Sequence, residues 1–174
     1  MKRGANHPTY IVTVKYGKEA KAELEIGDSL YEADPSLRIV RETYGGVLTV
    51  YTRLKHDEFL KHLLKHPPAT VERVVRVDFC CGREGFVECF LNEYSRRGWS
   101  FKDVYLGRYG FLKHEGGSKL LKFLKDMTTP TSDKILDVEP LSDLICFSLI
   151  REGEDRVVQR RRVELIKEFF NSMR

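Results

Sequence analysis

The spacing of apolar and polar positions changes period several times within the first eighty residues. Alternation of β-branched and aromatic residues predicts strands, and apolar residues three or four positions apart predict helices. These patterns predict a strand in TYIVTVKYG, a helix in KEAKAELEIGDSLYEAD, a hairpin around Gly45-Gly46 in SLRIVRETYGGVLTVYTR, a helix in KHDEFLKHLLKHPP and a last strand in VERVVRVDFCC. The predicted order is strand, helix, strand, strand, helix, strand.

That order is the split βαβ arrangement of ferredoxin-like units, with both helices on one face of a four-stranded sheet. We assign it to residues 1–81. In its first helix the predicted buried face consists of Ala20, Leu24, Gly27 and Tyr31, which fall at helical spacing.

The pattern after residue 81 predicts a second, α/β unit over residues 82–174, joined to the first by a single turn near Gly82. Its first helix is REGFVECFLNEYSRRGW, with apolar residues at steps of four. A strand in SFKDVYLGRYGF follows. The next helix, in GGSKLLKFLKDM, has Ser118 as its expected N-cap and a stripe of Leu120, Leu124 and Met127.

Two apolar runs stand close together near the end of this unit, KILDV and LICFSLI, separated by EPLSD. We predict that they are paired strands, the second inside the sheet because it is apolar almost throughout. A final helix covers DRVVQRRRVELIKEFFNSMR, with Val158, Leu165, Ile166, Phe169 and Phe170 available for burial. The predicted fold class is therefore α+β and α/β.

The composition supports a folded chain, with 41% hydrophobic and 32% charged residues among 174. No apolar run is long enough to span a bilayer, and the N-terminal residues lack an apolar stretch of signal-peptide length. We therefore expect a cytoplasmic protein without membrane contact. One glutamine and three asparagines beside many charges are typical of a thermophile.

The four cysteines, Cys80, Cys81, Cys89 and Cys146, form no C-x-x-C pair, so a zinc ribbon is not predicted. Small buried thiols are the preferred interpretation. The alternative is a Cys81–Cys89 or Cys80–Cys146 bridge, which a hyperthermophilic source would permit.

Other candidate chemistry gives no catalytic residue, metal site or cofactor. The chain contains neither a phosphate-binding P-loop nor a dinucleotide-binding glycine motif. His62 and His66 lie four residues apart, but no acidic residue or cysteine follows at a spacing typical of a third metal ligand. We therefore assign them to a solvated helix face. Asp137 and Glu139 are interpreted as carboxylates near a turn.

Positive charge is concentrated between Tyr94 and Lys134. This window holds nine basic and four acidic residues, a net charge of +5 against +4 for the whole chain. Aromatic residues interleave with the cations, namely Tyr94, Trp99, Phe101, Tyr105, Tyr109 and Phe111. Cations neutralise phosphates and aromatic rings stack on bases. The predicted RNA-binding residues are Arg96, Arg97, Lys102, Arg108, Lys113, Lys119, Lys122 and Lys134. The run QRRR at 159–162 is assigned a structural role, with Arg160 paired to Glu164.

The second unit resembles a THUMP domain, an RNA-binding module of tRNA-modifying systems. The resemblance rests on the helix before SFKDVYLGRYGF, on the helix in GGSKLLKFLKDM and above all on KILDVEPLSDLICFSLI, where a strand, a proline and an apolar strand follow one another. Many THUMP proteins also carry an N-terminal ferredoxin-like unit, so the resemblance extends over nearly the whole chain.

This resemblance implies a function without catalysis. THUMP enzymes carry an added catalytic domain, whereas this sequence ends one helix after the signature and resembles the stand-alone type of archaea and eukaryotes. The implied role is to bind tRNA near its acceptor end as an adaptor for a separate modifying enzyme, such as a cytidine acetyltransferase. Two alternatives stay open: a small enzyme with a Cys/His site, and a protein-interaction module.

Overall fold

The computed structural model of the protein describes residues 7–107 and 115–174, which form two compact units. The first unit comprises the chain up to Val75 together with Asp155–Arg174, and the second comprises Arg76–Glu154. This division differs from the predicted one in two respects: the boundary lies between Val75 and Arg76, and the C-terminal helix is grouped with the first unit. Both units combine one sheet with helices, so the predicted mixed α and β fold class is confirmed.

The first unit has the predicted βαββαβ order. Its elements are β1 (Tyr10–Val14), α1 (Glu19–Leu30), β2 (Arg38–Arg41), β3 (Val47–Tyr51), α2 (His56–Lys65), β4 (Val71–Arg76) and the C-terminal helix α5 (Val157–Ser172). The sheet order is β2-β3-β1-β4, and β3 runs antiparallel to both β1 and β2. The hairpin predicted around Gly45-Gly46 is therefore β2–β3.

Side chains from one face of this sheet pack against α1 and α2 in a single core. Tyr10 of β1 is fully buried, and its ring stacks on that of Phe59 of α2 with centroids 3.7 Å apart. The Tyr10 hydroxyl also forms a 2.9 Å hydrogen bond with His56 Nδ1. The start of α2 is thus fixed to the sheet by both an apolar and a polar contact.

The buried face predicted for α1 is wrong in most positions. The helix buries Ala22, Ile26, Gly27 and Leu30, whereas Leu24 is 68% exposed and Tyr31 is 47% exposed. Two apolar stripes coexist on α1, and the sheet covers the one that contains Ile26 and Leu30. The Tyr31 ring instead covers Gly27, where an added Cβ would collide with it.

Asp34 organises the segment between α1 and β2. Its carboxylate accepts hydrogen bonds from the Ser36 hydroxyl and the Thr52 hydroxyl, both at 2.6 Å, and from the backbone N–H groups of Ser36 at 3.0 Å and Arg53 at 2.9 Å. Burial alone would raise the pKa of Asp34, but these donors outweigh it and lower the pKa from 3.8 to about 2.

We expect Asp34→Asn to destabilise the protein at neutral pH, because the amide presents one acceptor oxygen where the carboxylate presents two. The folded-state pKa lies below the unfolded one, so this stabilisation is complete above pH 3.8 and is lost as the pH falls to about 2. Urea unfolding at several pH values checks this. The difference in the free energy of unfolding between wild type and variant should decrease as the pH falls across that window. A constant difference would contradict the assignment.

The predicted strand VERVVRVDFCC is two strands, one in each sheet. β4 ends at Arg76, and β5 (Phe79–Gly82) begins after a break at Val77-Asp78. The Asp78 carboxylate accepts a 2.8 Å hydrogen bond from the Leu149 N–H, and its burial raises the pKa of that carboxyl. This anchor marks the change of sheet.

The second unit contains β5, α3 (Phe86–Arg97), β6 (Asp103–Leu106), α4 (Glu115–Asp126), β7 (Lys134–Pro140) and β8 (Leu144–Arg151). The sheet order is β5-β8-β7-β6, with β6 parallel to β7 and the other pairs antiparallel. The predicted pairing of the two apolar runs is confirmed as β7–β8, and β8 lies inside the sheet. β7 extends further than predicted, because Pro140 pairs in register with Ile145.

Two disulfides hold β5 in place, so the preferred interpretation of free buried thiols is wrong. Cys80 of β5 is bonded to Cys146, its register partner on β8, and Cys81 is bonded to Cys89 of α3. Adjacent residues of a strand face opposite sides of the sheet, so one bridge lies on each face. These are the two pairs that the sequence offered as the alternative.

Asp137 and Glu139 also differ from their interpretation as turn residues. Both lie inside β7, two residues apart and therefore on one face of the sheet, and both are buried. Gly107 leaves space for Glu139, because an added Cβ at this glycine would collide with the Glu139 carboxylate. The two carboxylates are part of the interior of the fold.

The C-terminal helix α5 buries much less than predicted. Val158 is completely buried in the core of the first unit, and Leu165 is half-buried. In contrast, Ile166, Phe169 and Phe170 are each more than half exposed. Only the first part of the helix is anchored.

A buried ion pair supports the start of α5. Arg73 of β4 is 3% exposed, and its Nε lies 2.5 Å from the Asp155 carboxylate. Asp155 immediately precedes the helix. The pair connects β4 to the point at which the chain returns to the first unit.

Candidate RNA interface

Six of the eight predicted RNA-binding residues fall within the described residues, and they lie on different elements of the second unit. Arg108 and Lys113 lie outside the described residues. The others fall into three groups: Arg96 and Arg97 at the end of α3, Lys102 and Lys134 at the start of β6 and β7, and Lys119 and Lys122 on α4.

The arginines at the end of α3 are engaged with Glu93. Arg96 and Arg97 donate to the same Glu93 oxygen at 2.6 and 2.9 Å, and these bonds lower the pKa of that carboxyl. The Arg97 guanidinium also lies 5.0 Å from the centroid of the Phe79 ring. One carboxylate thus offsets part of the charge of both arginines.

Lys102 and Lys134 are neighbours at the end of the sheet where β6 and β7 begin. The Lys102 N–H donates to the Lys134 carbonyl at 2.8 Å, where β6 and β7 begin. The Lys102 ammonium lies 3.1 Å from Glu152, and Lys134 is half-buried. This pair offers less free positive charge than the sequence suggests.

The remaining two predicted lysines lie on α4. Lys119 and Lys122 are exposed, whereas Leu120 and Leu124 are buried in the core of the second unit, as predicted. Residues three apart share a helix face, so the two ammonium groups point in similar directions. Ser118 is not the N-cap, because the helix begins at Glu115, and its first turn therefore lies earlier than expected.

Phe123 lies on the same face of α4 and was missed in the sequence. It is 38% exposed and lies four residues after Lys119, so these two side chains are neighbours on the helix surface. The available signal was that Phe123 falls outside the stripe of Leu120, Leu124 and Met127. We call Lys119, Lys122 and Phe123 the α4 face. Asp126 is exposed at its C-terminal end.

Most of the aromatic residues proposed to stack on bases belong to the core instead. Phe101 is completely buried, and Tyr94 and Trp99 pack against the core of the second unit. Tyr105 is half-buried, while Tyr109 and Phe111 lie outside the described residues. Among the described aromatics of the basic window, Phe123 is therefore the better candidate for stacking.

The QRRR run has largely the structural role expected, with one change of partner. Arg161, rather than Arg160, pairs with Glu164 at 3.1 Å, and it also reaches Glu168 at 3.3 Å. Arg162 donates to the carbonyls of Ala69 and Val71 beside β4. Arg160 is exposed on another sector of the helix.

Three further observations bear on other classes of function. All four cysteines are in disulfides, so a thiolate nucleophile would require reduction first. Over residues 7–107 and 115–174, no three His, Cys, Asp or Glu side chains are grouped as metal ligands would be. Within the same ranges, no helix combines the length and apolar character that a bilayer crossing requires.

Comparison with known proteins gives no family. No family model matches the chain, and no curated protein matches it. Among solved structures, it is similar to a 4-thiouridine synthetase in complex with RNA and ATP, with 15% identity and a TM-score of 0.43 over 84% of this chain and 42% of that one. It is also similar to PH1313 from Pyrococcus horikoshii Ot3, with 11% identity and a TM-score of 0.44 over 82% of this chain and 54% of that one. The chain thus spans only part of the length of either protein.

Proposed function

We propose that the protein is a non-catalytic RNA-binding adaptor whose second unit binds tRNA through the α4 face. The observation that carries this proposal is the exposure of two lysines and one phenylalanine together on a helix whose opposite side is buried. The resemblance to THUMP domains adds the finer expectations: contact near the acceptor end, and transfer of the tRNA to a separate modifying enzyme such as a cytidine acetyltransferase.

The α4 face offers two kinds of contact to RNA, to phosphates and to bases, and neither requires a regular helical groove. Ammonium groups neutralise phosphates and release counterions, which makes affinity depend on salt. An exposed aromatic ring stacks on an unpaired base whatever its identity. Lysine and phenylalanine on one rigid helix would therefore bind the junction between a helical stem and a single-stranded end.

Changing Lys119 and Lys122 together to glutamine should weaken tRNA binding and flatten the slope of log affinity against log salt by about two units, one for each lost phosphate contact. Filter binding at several salt concentrations measures the slope. Lys18→Gln with Lys21→Gln is a matched control, since these exposed lysines are also three apart but lie in the first unit. A slope unchanged by the α4 variant, or flattened equally by the control, would refute the proposed site.

Phe123→Ala should weaken tRNA binding about tenfold, the loss of one stacked base, while the salt slope stays unchanged. Phe123→Tyr keeps the ring and should bind like the wild type. The same filter-binding assay serves for both. If the alanine variant bound as tightly as the tyrosine variant, α4 would contact phosphates alone.

The adaptor role predicts no modification by the chain itself. Purified protein incubated with unmodified tRNA and common cofactors should leave the nucleoside composition unchanged by mass spectrometry. The Cys/His enzyme is the competing candidate, and it would show activity that depends on reducing the two disulfides. Any modified nucleoside formed by the protein alone would overturn the adaptor proposal.

A further inference from the structure

The second half of α5 carries an apolar stripe that the described structure leaves exposed. Val163, Ile166, Phe170 and Met173 are 50%, 55%, 61% and 68% exposed. Their spacing is three, four and three residues. This is the spacing of side chains along a seam between two helices.

The stripe is held on a firm base. Val158, one turn before it, is completely buried, and Arg162 is bonded to the carbonyls of Ala69 and Val71. By the 100° rotation per residue of a helix, Val158 and Arg162 occupy one sector of α5 and the stripe occupies the next. The first part of the helix is thus fixed to the first unit along one side, and the stripe begins beside that attachment.

A row of basic residues lines the other side of the stripe. Arg160 and Lys167, seven residues apart on α5, lie within one narrow sector, and Arg156 immediately precedes the helix, where its Nε lies 3.8 Å from the Asp155 carboxylate. They border a shallow groove of about 340 Å³ that also includes Gln159, Val163 and Glu164.

The acidic residues of α5 offset only part of this row, since Glu164 alone among them borders the same groove as Arg160 and Lys167. The carboxylates of Glu164 and Glu168 are both bonded to Arg161, which lies on the sector opposite the stripe. The apolar stripe is therefore bordered by the protein body on one side and by positive charge on the other.

We infer that this surface of α5 is a docking site for an amphipathic helix of a partner protein, one whose own apolar stripe is flanked by aspartate or glutamate. Apolar side chains would interdigitate along the seam, and carboxylates would face Arg160 and Lys167. Electrostatic complementarity of this kind sets partner choice and orientation.

A second copy of the chain fits the surface poorly. Two α5 helices related by a twofold axis and packed antiparallel would bring Arg160 of one copy towards Lys167 of the other, along the whole seam. Repulsion between like charges at flanking positions disfavours that pairing. The charge row therefore selects an acidic partner over self-association.

The inference concerns the first unit and does not depend on RNA binding by the second. It is tested with two labelled three-heptad helical peptides that share leucine and isoleucine at the seam positions, one with glutamate and the other with lysine at the flanking positions. Fluorescence anisotropy with the full chain should show at least tenfold tighter binding of the glutamate peptide. The variant R160E/K167E should reverse that preference.

The variant Ile166→Asp with Phe170→Asp should abolish binding of the glutamate peptide and leave the unfolding temperature unchanged, because both residues are exposed. Lys21→Glu with Leu24→Ser, exposed positions on α1, is the matched control and should bind like the wild type. None of these variants should alter tRNA affinity, which separates a failure of this inference from a failure of the proposed function.

Three results would overturn the inference. The first is equal binding, or no binding, of the two peptides. The second is a dimer in sedimentation velocity that Ile166→Asp with Phe170→Asp dissociates, which would assign the surface to a second copy. The third is binding to phosphatidylserine vesicles that the same variant removes, which would assign it to a membrane surface.

Discussion

Replacing Cys80 and Cys146 together with alanine is expected to lower the free energy of unfolding by about 4 kcal/mol, which is the loop-closure contribution of a bridge over 66 residues. Without the bridge, the unfolded chain regains the freedom of the whole segment between β5 and β8. Urea unfolding of the oxidised protein measures the loss. The loss should appear mainly as a lower urea concentration at the midpoint of unfolding.

The Cys81–Cys89 bridge provides the matched comparison, because it closes only eight residues in the same unit. Its double alanine variant should lose about 2–3 kcal/mol. Reduction of the wild type should destabilise the protein more than either variant. If the two double variants were equally stable, or if reduction had no effect, loop closure would not be the source of the stabilisation.

Asp155→Ala is expected to cost about 3–5 kcal/mol, because it removes a carboxylate from a buried guanidinium. The side chains of Arg73 and Asp155 are only 4% and 13% exposed, so water cannot readily replace the lost partner. Thermal unfolding followed by circular dichroism measures the effect. The transition of the first unit should move to a lower temperature.

An exposed ion pair in the same unit supplies the control. Arg41 and Glu23 also lie 2.5 Å apart, but their side chains are 54% and 31% exposed. Glu23→Ala should therefore cost less than about 1 kcal/mol. A comparable loss in both variants would mean that burial does not determine the strength of the Arg73–Asp155 pair.

The elements with a single apolar stripe could be predicted from the sequence, and those with two could not. Leu120 and Leu124 on α4 have no competing stripe, and the prediction is confirmed. On α1 two stripes compete, and only the position of the sheet decides between Leu24 and Ile26. The break between β4 and β5 was missed because Val77 and Asp78 continue an alternating pattern, and hydrogen bonding at Asp78 marks the change of sheet.

The sequence identifies the basic residues of the candidate site, but it does not show which of them are exposed in the fold. Sequence counts Arg97 and Lys122 as equivalent cations, whereas the fold pairs the first with Glu93 and leaves the second exposed. The same limit applies to the aromatic residues. Phe101, which was predicted to stack on bases, is in the core, and Phe123, which was not, is at the surface. Burial depends on contacts distant in sequence, which composition does not record, whereas the Glu93–Arg97 pair joins residues four apart on one helix and was available to the sequence.

The return of the chain to the first unit at Asp155 has a consequence for biosynthesis. Residues 76–154 are contiguous and can form the second unit as soon as they leave the ribosome. The part of the first unit up to Val75 emerges earlier. Val158, a buried residue of the same core, is synthesised only about eighty residues later. The first unit therefore begins to emerge first and is completed last. Until then, its exposed apolar core residues are the part of the nascent chain that we expect a chaperone to bind.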